Sequence, residues 1–187
     1  AMFFPLYIDN IYISKYLYSN NTIYYQKARV FREINTNEIA YCIEPFRFFE
    51  PNSQYEQTIN INNLSQEKLN NIKRIAYYGY GYKNHTDLKW YAITQYLIWQ
   101  ETVENGEIFF TDKANGNKIN LFQTEINEIK NLVNNSKIKP SFINQKHYLV
   151  ENNEITLTDT NNVLNNFETL NYQIENKFRK RRYQNAK

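Results

Sequence analysis

Between Asn21 and Glu33 polar and apolar positions alternate around Ile, Tyr and Val residues, and Glu38–Glu44 repeats the pattern. A period of two sends successive side chains to opposite faces of a sheet, so both segments predict strands. The intervening INTNE (34–38) reads as a turn, which joins them as a hairpin. Pro45 and Pro51 then bracket a short extended piece, FRFF. After that the period lengthens. Leu64, Leu69, Ile72 and Ala76 recur at helical spacing behind Ser65, a good N-cap residue, and predict a helix to about Tyr77. Gly79 and Gly81 in YYGYGYKNH break it. Thr86 is the expected N-cap of a second helix, Asp87–Glu104, with Asp87 favourable at its positive end and Asn105-Gly106 closing it. EIFFTD (107–112) predicts a strand and ANGNK a turn. Leu121, Phe122, Ile126, Ile129, Leu132 and Val133 predict a third helix over Ile119–Asn135. Beyond Pro140, KHYLVE, EITLTD and NYQIENKF predict strands separated by Asn-rich turns.

Strands, then helices, then strands imply an α+β fold with the helices segregated. The expected β-rich part covers about 1–64 and 136–187, as a sandwich or barrel-like antiparallel sheet drawn from both chain ends. It packs against a helical subdomain of about 65–135. The 187 residues fit a single domain, 1–187, and a hydrophobic content of 42% suffices for its core.

Charge changes this picture little. The net +3 comes from interspersed acids and bases, which argues against a nucleic-acid partner. The one basic cluster, KFRKRR (Lys177–Arg182), reads as a solvated helix end or domain junction, with a phosphate or membrane-surface patch as the alternative. No run of about 18 apolar residues occurs, so no membrane insertion is expected. Ala1-Met2 reads as an expression scar, and any secretion signal or anchor is expected outside this sequence. The heavy use of Asn, with Ile, Lys and Tyr, reflects an AT-rich genome.

Two residues carry the candidate chemistry. Cys42, in YCIEPF, is the only cysteine, so it can form neither an internal disulfide nor a cysteine zinc site. Gln95 lies on a stripe of the second helix made by Leu88, Ala92, Gln95, Trp99 and Thr102, in the middle of an apolar face. A buried carboxamide costs about 1–3 kcal/mol if its hydrogen bonds are unmet. Either backbone groups satisfy it, or it has been chemically changed. A thiolate can attack a glutamine side-chain carbonyl and expel ammonia, leaving an internal thioester, if the site positions both groups and stabilises the oxyanion.

Tyr41-Cys42-Ile43-Glu44 followed by Thr94-Gln95-Tyr96-Leu97-Ile98-Trp99 resembles the paired signature of thioester domains from Gram-positive bacterial surface adhesins. That family carries an aromatic–Cys–hydrophobic–acidic motif and, some tens of residues later, a Thr-Gln-X-Ala-hydrophobic-Trp motif. YYGYGY (77–82) also resembles the family, and Leu97 departs from the usual Ala. The resemblance implies a Cys42–Gln95 thioester formed without a cofactor or metal. It implies a virulence-associated cell-adhesion domain on the bacterial cell surface, part of a longer cell-wall-anchored protein. A host surface or matrix protein would present an amine, such as a lysine, that attacks the Gln95 carbonyl and frees the thiol. Such a domain is consumed once and is not a turnover enzyme.

Around this pair, Glu44 shares the cysteine's strand face and is a candidate proton acceptor. Tyr41, Tyr96 and Trp99 are candidates to shield the bond from water, and Thr94 is a further candidate supporting residue. His85 lies in a loop that can reach the site, whereas His147 is expected to be structural. Two distant histidines give no metal-ligand spacing. Two other functions fit the same residues: a cysteine hydrolase or acyltransferase pairing Cys42 with His85 or His147, and a non-covalent binding module in which Cys42 is a buried free thiol.

Overall fold

The computed structural model describes residues 3–35, 37, 39–45, 56–57, 64–135, 147–151 and 154–157. The described strands form one sheet of eight: β1 (Phe3–Leu17), β2 (Thr22–Glu33), β3 (Ile39–Cys42), β4 (Glu56–Gln57), β5 (Gly106–Thr111), β6 (Lys118–Ile119), β7 (His147–Glu151) and β8 (Glu154–Leu157). Their order is β4-β8-β7-β3-β2-β1-β5-β6. Three helices accompany them: α1 (Gln66–Tyr78), α2 (Leu88–Thr102) and α3 (Gln123–Asn134). The fold is α+β, as expected. The sheet, however, is mixed rather than wholly antiparallel, because β3 pairs with β7, and β4 with β8, in parallel. It also draws on three parts of the chain, since β5 and β6 come from within the expected helical block and β5 pairs with β1.

The β2–β3 hairpin forms where alternation predicted it, although the ladder holds only Phe31↔Ala40 and Arg32↔Ile39. The longest pairing is β1–β2, with a bulge between Tyr7 and Tyr12 where Asn10 takes φ 59°. Of the seven described non-glycine residues at positive φ, five are asparagine: Asn10, Asn21, Asn37, Asn105 and Asn115. With only four glycines in the chain, asparagine supplies the left-handed turn positions, which it tolerates better than other side chains.

Ser65 caps α1 as predicted, its Oγ accepting from Lys68 N at 3.2 Å. For α2 the N-cap is Asp87, one residue later than expected, and the helix ends at Thr102. The predicted start of the third helix was early. Ile119 is paired in β6, Leu121 and Phe122 precede the helix, and α3 begins at Gln123. The expected strand NYQIENKF, the FRFF piece and the KFRKRR cluster lie outside the described residues.

α2 is buried on nearly every side, including Trp90–Gln95 and Leu97–Trp99. It lies between the sheet and the other helices, touching β1, β2, β3 and β5 as well as α1 and α3. Its contact face on the sheet is built from Ile13, Ala28, Val30, Tyr41, Ile108 and Phe110, all buried. A helix buried on nearly every side has its rotation fixed tightly, which places any polar residue on it with precision.

Candidate functional site

Helix α2 inserts two polar tips between β2 and β3. The Tyr91 hydroxyl donates to Ala40 O at 2.5 Å and accepts from Phe31 N at 3.3 Å, so it stands between the two strands. One helical turn later Gln95 does the same for the next exposed pair of main-chain groups. Its Oε1 accepts from Cys42 N at 2.9 Å and its Nε2 donates to Cys42 O at 2.7 Å. Ala40 and Cys42, two residues apart, turn their polar groups to the same edge of β3, the one facing β2. Four residues of helix rise about 6 Å and two residues of strand about 6.7 Å, so the spacings match. The Gln95 carboxamide thereby takes the place of a paired strand. Continued by two residues, the β2–β3 register sets Arg29 opposite Cys42.

A carboxamide half-way along an apolar helix face is thus satisfied by the main chain of Cys42, fifty-three residues away. The reactive consequence lies in where its carbon is held. The Cys42 N–H already polarises the Gln95 carbonyl, and the same donor is aimed at the oxygen that would carry charge if a nucleophile added to Cδ. The Cys42 thiol donates to Glu44 O at 3.0 Å. Burial pushes the thiol pKa up to about 11, and the Glu44 charge adds to this; the Glu44 main-chain contact, the Trp99 indole N–H and the Arg29 charge pull the other way. At neutral pH the group is therefore a thiol, and attack by sulfur requires loss of its proton.

The other expected residues divide. Tyr41 is fully buried and stacks on Tyr91 at 4.9 Å, with burial raising its pKa well above the usual tyrosine value. Trp99, one turn beyond Gln95, is 3% exposed and lines a small cleft together with Tyr91 and Gln95. Thr94 anchors the YYGYGY loop: its hydroxyl donates to Trp90 O at 2.6 Å and accepts from Tyr80 N at 2.9 Å. Gly79 is required there, because a Cβ would sit 2.1 Å from Thr94 Oγ1. The loop in turn brings Tyr80 edge-on to Tyr91. Tyr96 points elsewhere, stacking on Phe110 at 4.4 Å and accepting from Gln100 Nε2 at 2.6 Å. Glu44 meets the thiol through its main-chain carbonyl, although its carboxylate is close enough to act on the thiol charge.

His85 is also engaged away from the pair. Its Nδ1 lies 2.9 Å from Tyr78 O and 3.0 Å from Gly79 O, and its Nε2 lies 2.8 Å from Glu128 Oε1. Its ring stacks on Trp90 at 3.6 Å. It is 1% exposed and ties the end of α1 to α3, so a Cys42–His85 dyad has no geometric basis. His147 pairs through its main chain with Ile39. Among the described residues no group of three His, Cys, Asp or Glu side chains converges as a metal ion requires.

Two residues of the site were not singled out from the sequence, Tyr91 and Arg29. Tyr91 stands four before Gln95 on the same helix face, a signal present in WYAITQ. Arg29 becomes visible only once the hairpin register is known.

A family model, the thioester domain, matches residues 39–155, which includes both Cys42 and Gln95. The chain belongs to the thioester-domain family. No curated protein and no solved structure matches it. Within this thioester domain the matched segment starts at β3, so β1 and β2, which form the other wall beside Gln95, precede it.

Proposed function

We propose that Cys42 and Gln95 are the residues joined in this thioester domain, and that the domain is a single-use covalent adhesin of a bacterial cell surface. The observation that carries the reading is the paired hydrogen bonding of the Gln95 carboxamide to Cys42 N and O. In the forming step, Cys42 Sγ loses its proton and adds to Gln95 Cδ. The oxygen charge is held by Cys42 N–H, the C–N bond breaks, and nitrogen leaves with the proton as ammonia. In the capture step a neutral primary amine adds to the same carbon and the C–S bond breaks. The electron pair returns to sulfur, and the proton shed by the amine restores the thiol. An amide to the partner remains, with no cofactor consumed.

The partner is a host surface or matrix protein presenting a lysine, and the domain belongs to a longer cell-wall-anchored protein. A thioester buried beside Trp99 and Tyr91 is sheltered from hydrolysis, which suits a group that must wait for an amine. The test is incubation with a biotinylated primary amine. One label per chain at Gln95, with one thiol released and no further turnover, is the expected result. Catalytic consumption of amine or of an acyl donor would replace this reading with an enzyme.

A further inference from the structure

Strand β5 has a second edge that the sheet uses only in part. On that side β6 pairs Phe110↔Ile119 and Thr111↔Lys118, and the chain then turns off into α3 at Gln123. Among the described residues no strand lies beyond β6, and none pairs with residues 106–109 there. A groove of ≈ 400 Å³, open to solvent, runs along this stretch, and its lining includes every residue from 106 to 110. Successive side chains point to opposite faces of a strand, so a groove lined by five in a row follows the edge and meets main chain.

The direction of that main chain follows from the other neighbour. Tyr18 N donates to Asn105 O at 2.9 Å, and the β1–β5 register continues from this pair as Leu17↔Gly106 and Tyr16↔Glu107. Bonded pairs alternate in an antiparallel ladder, so Asn105, Glu107 and Phe109 turn their N–H and C=O groups to β1. Gly106, Ile108 and Phe110 turn theirs to the opposite edge. Phe110 meets Ile119 of β6, whereas Gly106 and Ile108 face the groove and β6 supplies them no partner. Residues 106–109 contain neither proline nor lysine, which commonly guard such an edge.

A segment added here in antiparallel register sets one residue opposite Ile108 and, two residues on, another opposite Gly106. Both side chains turn to the α2 face, where the partly buried Tyr96, Val103 and Ile119 line the groove. The residue between them lies opposite Glu107, on the outer face. Glu107 is exposed, and its carboxylate accepts from the Tyr18 hydroxyl at 3.1 Å. Lys118, the cation among the described lining residues, lies over the Phe109 ring, toward β6.

We propose that the β5 edge docks an extended segment of a protein partner by strand addition, in the pattern apolar–basic–apolar opposite Ile108, Glu107 and Gly106. Strands β1 and β2 separate β5 from β3, so this edge lies about 14 Å across the sheet from the Cys42 strand. The contact is non-covalent and does not require the thioester.

The test is an amide NMR titration of the intact domain with the peptide acetyl-Thr-Val-Arg-Val-Thr-amide, which carries no primary amine and so cannot be captured at Gln95. The largest shifts are expected at Gly106 and Ile108. N-methylation of the first valine, opposite Ile108, should weaken binding about five-fold by removing one main-chain donor. N-methylation of the arginine, whose N–H points away from β5, should change it little. Exchanging arginine for glutamate in the peptide should weaken binding about three-fold, and Glu107→Lys in the domain should reverse that preference. The absence of a saturable shift, shifts concentrated elsewhere, or binding indifferent to N-methylation of either valine overturns the proposal. An Ile108 shift that grows with domain concentration alone also overturns it, because the edge then belongs to a second copy of this chain.

Discussion

Replacing Tyr91 by Phe removes one oxygen and tests whether α2 holds β2 and β3 apart as described. That hydroxyl satisfies Ala40 O and Phe31 N, both in a fully or nearly fully buried setting, with Ala40 0% and Tyr91 1% exposed. Each lost hydrogen bond of this kind costs about 1 kcal/mol net, and a buried group left without a partner costs about 1–3 kcal/mol. The 3.3 Å bond is the weaker, and part of the loss is recovered by local adjustment, which sets the expected destabilisation at about 2 kcal/mol. For a domain of this size that corresponds to a fall in Tm of about 4–8 °C. The ring itself stays, so its stacking on Tyr41 is retained and no cavity opens. Thermal and urea unfolding of the two proteins, with the urea slope unchanged, give the number. A Tyr91→Phe protein as stable as the parent would refute the wedge. The same sample reports on chemistry: strands that close toward each other displace the Gln95 tip, and the fraction carrying the ammonia deficit should fall with the stability.

Other outcomes follow from the same geometry. Gly79→Ala should destabilise by at least about 2 kcal/mol, because its Cβ would overlap the Thr94 hydroxyl, and Gly79→Ala/Thr94→Ser should recover little, since the hydroxyl is retained. His85→Ala should cost about 3 kcal/mol by emptying a buried site stacked on Trp90, while the folded fraction still shows the ammonia deficit; loss of the deficit in folded protein would restore His85 to the chemistry. In Gln95→Ala the thiol is permanently free. Its alkylation rate should be low at pH 8 and climb about tenfold per pH unit toward the pKa of about 11. Because the folded thiol keeps its proton to higher pH than the unfolded one, that variant should lose stability as pH rises from about 9 through about 11, which pH-dependent urea midpoints will register.

The helices and the β2–β3 hairpin were legible because their periods are clean: Ser65 and its apolar stripe locate α1 almost to the residue, and Gln95 stands out as polar on an apolar face. The strand Phe3–Leu17 carried no such signal. Apolar residues occur at both parities, and the Asn10 bulge shifts its alternation midway, so a two-residue period never runs its full length. The early start assigned to the third helix has a similar cause. Ile119, Leu121 and Phe122 are apolar at helical spacing, but β6 pairing holds Ile119 and Phe122 adopts a left-handed conformation at the N-cap. Asparagine abundance by itself points only to genome composition, yet asparagine holds most of the described left-handed positions outside glycine. At the site, the polar Gln95 on an apolar face and the resemblance of the two motifs point to Cys42 and Gln95 together, but not to how they meet. The answer depends on main-chain direction, since Gln95 addresses the backbone of Cys42, and it depends on register, which alone brings Arg29 opposite. Tyr96 was drawn in by adjacency in sequence, yet a one-residue step on a helix turns about 100°, and it faces Phe110 instead.

The proposed joining of Cys42 and Gln95 into one covalent group removes one ammonia from the chain. Intact mass of the protein, denatured in acid and never exposed to amine buffers, measures this directly. The domain should weigh one ammonia less than its sequence, and Cys42→Ala and Gln95→Ala should each show the full mass of their own sequences. A protein of full sequence mass whose Cys42 thiol titrates stoichiometrically on unfolding would rule out the thioester.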